Sequence, residues 1–287
     1  MSRPSILVGL IGAGIQSSLS PAMHEREGAA LGFRYVYRLI DLDAIGETAA
    51  ALPRLLASAE REGFAGVNVT FPCKQAVIEC LDELSPDARA VGAVNTVVFG
   101  DGRRVGHNTD WAGFAEGFSR SLPDACRERV VLLGAGGAGA AVAHALLTLG
   151  TGQLVLVDVE ADRAAGLADA LCARFGVGRA RASGDPEAAL AGADGMVNAT
   201  PIGMAKFPGL PLPAGLLSPS LWVADVVYFP LETPLLAEAR KRGCRTMSGA
   251  GMAVFQAAGA FRLFSGVAPD TSRMLAHFAE LTGRPVS

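Results

Sequence analysis

The stretch Val130-Val-Leu-Leu-Gly-Ala-Gly-Gly-Ala-Gly139 constrains the fold of this chain more than any other. Four apolar, partly β-branched residues run into Gly134, Gly136 and Gly139, with Ala135, Gly137 and Ala138 between them. An alanine-rich helical run follows to Leu149, Gly150 and Gly152 break it, and Leu154 to Val157 reads as a second strand closed by Asp158. Strand, glycine turn, helix, strand and acid in that order are the sequence form of a dinucleotide-binding βαβ unit. Gly134 allows the tight turn, Gly136 lets the backbone approach a pyrophosphate, and Gly139 lets helix and strand pack closely. The pyrophosphate then lies over unsatisfied N–H groups at the positive end of the helix dipole.

At 287 residues the chain is longer than one average domain, and two domains are expected. Half of its residues are hydrophobic and 18% are charged, enough for a large core. A net charge of −3 provides no basic field for nucleic acid. Five cysteines without a CxxC pair fit free thiols in a reducing cytosol better than a disulfide framework. The apolar run Ile6 to Ile15 lacks a basic leader and a cleavage signature, so no signal peptide is read there. No apolar stretch reaches the roughly eighteen residues of a membrane span, and a cytoplasmic protein is expected. His24, His107, His144 and His277 show no metal-ligand spacing.

Taken in order, Ile6 to Ile11 reads as a buried parallel strand entering Gly12-Ala-Gly14, a turn that lacks the third glycine of a nucleotide fingerprint. Ser17-Ser18-Leu19-Ser20-Pro21 follows, with Pro21 suited to a first helical turn and Ser20 a natural N-cap. The same serines also form a hydroxyl cluster at the carboxyl end of a strand, where open α/β sheets bind ligands. A helix to Leu31, a strand Tyr35 to Asp41 and a helix Ala44 to Glu62 come next. Gly66-Val-Asn-Val-Thr-Phe-Pro-Cys-Lys74 is a strand ending in polar groups, and Pro72 opens a helix with Lys74 in its first turn. A lysine there opposes the helix dipole, a poor structural choice that points to function. Val91 to Phe99 reads as a strand with Asn95 and Thr96 embedded in it, polar groups that need partners. Asp110 begins a helix with Trp111, Phe114, Phe118 and Leu122 on one face, as N-cap or as catalytic acid. From Val130 to about Met247, strands at Met196 and Trp222 and a helix Ala161 to Phe175 alternate as a doubly wound domain. Gly249-Ala-Gly251 then punctuates the chain before a helix, Met252 to Ser265, that carries Gln256.

Together these motifs resemble the shikimate/quinate dehydrogenase family. The matching set is Ser18-x-Ser20-Pro21, Asn68-Val-Thr70-x-Pro72-x-Lys74, Gly92-Ala-Val-Asn95-Thr96 and Asn108-Thr-Asp110. It continues with the glycine turn at Gly134, Asn198-Ala-Thr-Pro201, and Gly249-x-Gly251-Met252 with Gln256, so that it spans essentially the whole chain. The resemblance implies an α/β protein of two domains: a substrate-binding domain of residues 1–110 plus 254–287, and a Rossmann doubly wound domain of residues 111–253. It implies that Ser18 and Ser20 bind a substrate carboxylate, that Thr70, Lys74, Asn95, Asp110 and Gln256 hold ring hydroxyls, and that Tyr228 adds a further substrate contact. Cofactor contacts are implied for Gly134, Ala135, Gly136, Gly137, Ala138, Gly139, Asp158, Arg163, Thr200, Pro201, Met204, Val227, Gly249 and Met252.

Two departures bear on the cofactor and on the branch of the family. NADP-dependent members usually carry an Asn-Arg-Thr-like motif after the second Rossmann strand, where this chain has Asp158-Val-Glu160. A carboxylate accepts hydrogen bonds from a ribose diol and repels a 2′-phosphate, which favours NAD, although Arg163 nearby leaves room for NADP. Ser17 replaces a histidine frequent before the first serine, and Trp111 follows Asp110 where glycine is common. Both traits resemble the NAD-linked quinate/shikimate branch. The implied reaction is hydride transfer at ring C3 between quinate or shikimate and their 3-dehydro forms, with Lys74 as acid/base and Asp110 beside it. The alternatives are an NADP-dependent shikimate dehydrogenase of aromatic amino acid biosynthesis, action on an aminated analogue, and a non-catalytic metabolite or nucleotide sensor. A monomer or a homodimer is expected.

Overall fold

A computed structural model describes residues 4–283. The chain forms two compact units, one made of the chain up to Gly113 together with the stretch from Val254 on, the other of Phe114–Ala253. Among the described residues no helix is long and apolar enough to cross a membrane.

The first unit is built on six strands: β1 (Ser5–Gly12), β2 (Arg34–Asp41), β3 (Gly66–Val69), β4 (Glu83–Leu84), β5 (Thr96–Gly100) and β6 (Arg103–His107). Their order is β2-β1-β3-β5-β6-β4. β1 pairs in parallel with both β2 and β3, while β5 runs antiparallel to β3 and β6. Val8, Ile11, Val67 and Val97 are fully buried, so the central strands read as apolar runs because helices cover both faces. The chain leaves β1 for β2 on one side and later places β3 on the other. The carboxyl ends of β1 and β3 therefore flank a topological switch point, the position where open α/β sheets bind ligands.

The second unit is a wholly parallel sheet of β7 (Arg129–Leu133), β8 (Gln153–Val157), β9 (Ala180–Ala182), β10 (Gly195–Asn198), β11 (Trp222–Asp225) and β12 (Arg245–Met247). The order β12-β11-β10-β7-β8-β9 is the dinucleotide-binding arrangement, with its switch point between β7 and β10. The glycine-rich turn leaves β7 and the helix Gly137–Thr148 starts directly after Gly136. That helix is buried along most of its length, from Gly139 to Leu147, which explains its alanine-rich composition.

Three readings of the sequence are corrected. The helix expected from Ala44 to Glu62 is divided, because Gly46 ends a short helix in the left-handed conformation and the main helix begins only at Leu52–Pro53. The strand expected from Val91 begins at Thr96, since Val91 closes the helix Pro86–Val91 and Gly92 is left-handed. Ser20 does not cap the helix Ser20–Ala30; Leu19 occupies the cap and its side chain makes no capping bond.

Candidate active site

At the first unit's switch point, β3 ends at Val69 and the chain turns through Thr70, whose N–H donates to the Ile11 carbonyl at 2.9 Å. A Cβ on Gly12 would come within 2.3 Å of the Thr70 methyl group, so only glycine lets the ends of β1 and β3 meet this closely. Lys74 is the second residue of the short helix Cys73–Ala76. Its Nζ donates to Oδ2 of Asp110 at 2.6 Å, with the two side chains 15% and 6% exposed. A charge-assisted contact with so little water access holds both groups in one geometry.

Asp110 opens the helix Asp110–Ser121, but Asn108 supplies the capping oxygen by accepting from the Trp111 N–H at 3.2 Å. The Asp110 carboxylate is thus left for side-chain partners: Lys74 on Oδ2 and the Asn95 amide on Oδ1 at 2.9 Å. Asn95 also donates to Thr109 Oγ1 at 2.8 Å, and its oxygen accepts from the Thr109 N–H and the Thr96 hydroxyl. Behind Thr96 stands Asn68, which donates to the Thr96 oxygen at 2.9 Å and accepts from the Tyr37 hydroxyl at 2.9 Å. A buried polar chain from Tyr37 to Lys74 results, each member orienting the next. The polar residues Asn68, Asn95 and Thr96 that stood out among apolar neighbours form its middle. Gln256, on the helix Ala250–Ser265, accepts a long bond from Asn95 at 3.4 Å.

Ser18 and Ser20 lie at the carboxyl end of β1 and are half-buried. Ser18 N–H donates to the Ile15 carbonyl at 2.9 Å and its hydroxyl accepts from Ser20 N–H at 3.3 Å. Thr70, Lys74, Asn95, Asp110 and Gln256 thus share one unit with the serines, whereas Tyr228 lies in the second unit, past β11.

In the second unit, Gly134 is left-handed (φ 94°), and a Cβ on Gly139 would sit 2.0 Å from the Gly134 carbonyl oxygen. A Cβ on Gly136 would meet nothing within 4 Å. Gly134 and Gly139 are packed against backbone while Gly136 faces open space, the division of roles a pyrophosphate cradle requires. Asp158 accepts from the Ala135 N–H at 2.6 Å and from the Glu160 N–H at 2.9 Å. The acid therefore fastens the glycine turn. Arg163 pairs with Glu160 at 2.5 Å and lies 3.8 Å from Asp158. The residues fit a dinucleotide, with Gly134–Gly139 for the pyrophosphate and Asp158 for the ribose.

Across the switch point, Thr200 N–H and hydroxyl both donate to Asn198 Oδ1, at 3.1 and 2.7 Å. Asn198 in turn donates to Asp225, which also accepts from the Thr233 hydroxyl at 2.7 Å and the Val227 N–H at 3.0 Å. Burial pushes the Asp225 carboxyl up to about 6, against the pull of these donors. Asp225 joins the loop carrying Thr200, Pro201 and Met204 to the loop carrying Val227 and Tyr228. Sequence reading passed over it, although an acid closing an apolar strand was the signal that singled out Asp158. Gly249 packs on Val226, where a Cβ would lie 2.4 Å from the carbonyl oxygen; Met252 is buried and Met204 is exposed.

A family model described as the shikimate dehydrogenase substrate binding domain matches residues 10–97. The chain is 62% identical to a shikimate dehydrogenase (NADP(+)) of Streptomyces avermitilis, covering 99% of this chain and 98% of that protein. It is 50% identical to a quinate/shikimate dehydrogenase (NAD(+)) of Corynebacterium efficiens, covering 98% of this chain and all of that protein. The solved structure of quinate dehydrogenase from Corynebacterium glutamicum in complex with NAD superposes with a TM-score of 0.87, at 47% identity, covering 96% of this chain and 99% of that one.

Proposed function

The chain belongs to the shikimate dehydrogenase family, and we propose that it interconverts quinate or shikimate with the 3-dehydro compound, using NAD in preference to NADP. It is an oxidoreductase with a nicotinamide cofactor. The observation that carries the reading is the Lys74–Asp110 pair at 2.6 Å, set at the first unit's switch point. Oxidising a ring hydroxyl removes a hydride from carbon and a proton from oxygen, so a proton acceptor must lie within hydrogen-bond reach. When bound, the dinucleotide supplies the hydride acceptor. The Lys74–Asp110 pair takes the hydroxyl proton in oxidation, and in reduction Lys74 Nζ–H donates to the carbonyl oxygen. Ser18 and Ser20 bind the carboxylate through their hydroxyl groups, and Thr70 and Gln256 hold the ring hydroxyls. The unit built around β1–β6 is the substrate-binding domain and the unit built around β7–β12 is the NAD-binding domain.

The cofactor preference is supported by Asp158, whose carboxylate suits a ribose diol, and by Glu160, which engages the nearest cation. A second reading, an NADP-dependent shikimate dehydrogenase, is favoured by the name of the Streptomyces relative and by the position of Arg163. A non-catalytic sensor has no use for a proton-transfer pair. Steady-state oxidation of quinate and shikimate, each with NAD and with NADP, tests all three. The highest kcat/KM is expected with NAD. Preference for NADP selects the second reading, and turnover of neither substrate with either cofactor overturns the assignment.

A further inference from the structure

Asp41 closes β2, directly across the parallel ladder from Gly12. It is 3% exposed, yet no cation pairs with it among the described residues. Its carboxylate is instead surrounded by donors from the turn that leaves β1. Oδ1 accepts from the Gly14 N–H at 2.8 Å, and Oδ2 from the Ile15 N–H at 3.1 Å and the Gln16 amide at 2.9 Å. The Asp43 N–H adds a further bond to Oδ1 at 3.1 Å. Burial raises the cost of its charge, but the bonds from Gln16, Gly14, Asp43 and Ile15 outweigh it and hold the carboxyl below the usual carboxylate range.

The turn so held delivers the serines. Ala13 is tied to the Phe71 carbonyl on one side, and Ser18 N–H bonds back to the Ile15 carbonyl on the other. Between those two points the hydrogen bonds anchoring residues 14–16 go to Asp41. The turn is short of apolar ballast, since only Ile15 is buried and Gly14, Gln16 and Ser17 are exposed. We infer that Asp41 is the positioning residue for substrate-carboxylate recognition, holding the Gly14–Gln16 turn so that Ser18 and Ser20 present their donors in one fixed arrangement. The inference rests on the reading that these serines bind the carboxylate. Gly12-Ala-Gly14 with Asp41 thereby parallels Gly134-Ala-Gly136 with Asp158, an acid at the end of the next strand fastening the glycine turn before it. In the first unit the acid is satisfied mainly by the turn that leaves β1, and the serine hydroxyls beyond that turn are left to face the ligand.

Asp41→Asn replaces an acceptor of several N–H groups by an amide that presents donors to them. Loss of one or two positioned hydrogen bonds at the serines should raise KM for shikimate or quinate roughly tenfold, with kcat changed less than about twofold and KM for NAD unaltered. The same change is made in a Ser18→Ala/Ser20→Ala background. There the serine variant alone should raise substrate KM, and adding Asp41→Asn should raise it by less than about twofold more. An unmoved KM, a kcat that falls with kcat/KM, or a full tenfold effect in the serine-less background would overturn the role of Asp41. A serine variant with normal KM would instead refute carboxylate binding by the serines. If Asp41→Asn does not fold, Gln16→Ala at the exposed end of the network decides: a rise in KM of about threefold supports the inference, and none refutes it.

Discussion

At the scale of single residues, Lys74 is, among the described residues, the one side-chain cation ion-paired at the first unit's switch point. Lys74→Ala should lower kcat at least about a hundredfold with a smaller effect on KM, the signature of a group needed in proton transfer rather than in binding. A near-normal kcat in steady-state assay would remove lysine from the chemistry. Cofactor choice is set by smaller forces. Glu160 and Arg163 are 62% and 41% exposed at their side chains, so their contact is worth less than about 1 kcal/mol despite its length of 2.5 Å. Glu160→Gln should therefore raise the NADP/NAD ratio of kcat/KM by only about two- to fivefold. Asp158→Ala should do more and cost more, because the same carboxylate fastens Ala135. It is expected to weaken NAD and improve the relative use of NADP, and an unchanged ratio would mean that Asp158 does not face the ribose.

At the scale of elements, Gly139 shows how closely the nucleotide helix and its strand are fitted. A Cβ there would lie 2.0 Å from backbone oxygen, and neither partner is a flexible side chain that can yield. Gly139→Ala should displace the start of the helix Gly137–Thr148 and raise KM for NAD at least about tenfold, leaving substrate KM at saturating NAD nearly unchanged. Equal effects on both constants would locate the damage elsewhere. This element was legible in sequence because every part of it is local: strand, turn and helix are contiguous. Ala161–Phe175 was legible for the same reason, its apolar face repeating at helical spacing to a glycine stop. Short edge strands were not. β4, β9 and β12 have two or three residues each, and β6 is largely polar, so their pairing comes from neighbouring strands rather than from their own pattern. The polar residues of the site were legible as misfits in apolar runs, but their partners were not. Asp41 and Asp225 act on loops far along the chain, and only the register of the sheet shows which loop each acid meets.

At the scale of the whole molecule, the first unit is sewn from both ends of the sequence. Glu27, 1% exposed at its side chain, receives a bidentate grip from Arg273 at 2.6 and 2.7 Å and the Asp270 N–H at 2.8 Å. These bonds tie the helix Ser20–Ala30 to the helix Thr271–Thr282 and so join the two chain segments that make up the first unit. His24 belongs to the same junction. It is fully buried against Tyr35, Tyr37, Phe261 and Phe264, and its Nδ1 meets the Tyr35 hydroxyl at 3.2 Å. Burial lowers its pKa from 6.5 to about 3, so the folded unit disfavours the imidazolium that the unfolded chain takes up readily. The sign follows from linkage: protonation of the unfolded chain alone draws the equilibrium away from the folded state, and the loss grows until the folded imidazole also takes a proton. Its contribution is intact above about pH 6.5 and is lost as the pH falls from there toward about 3. Between pH 7 and pH 5 the loss is about 2 kcal/mol, at 1.36 kcal/mol for each pH unit below the unfolded value. His24→Leu keeps the apolar packing and removes the titration, at the cost of the bond to Tyr35. Denaturant unfolding of both proteins at the two pH values isolates the histidine from the other titrating groups. The stability of the native protein relative to the variant should fall by about 2 kcal/mol on going from pH 7 to pH 5. A difference that does not change with pH would mean that the imidazole reaches a proton in the folded state.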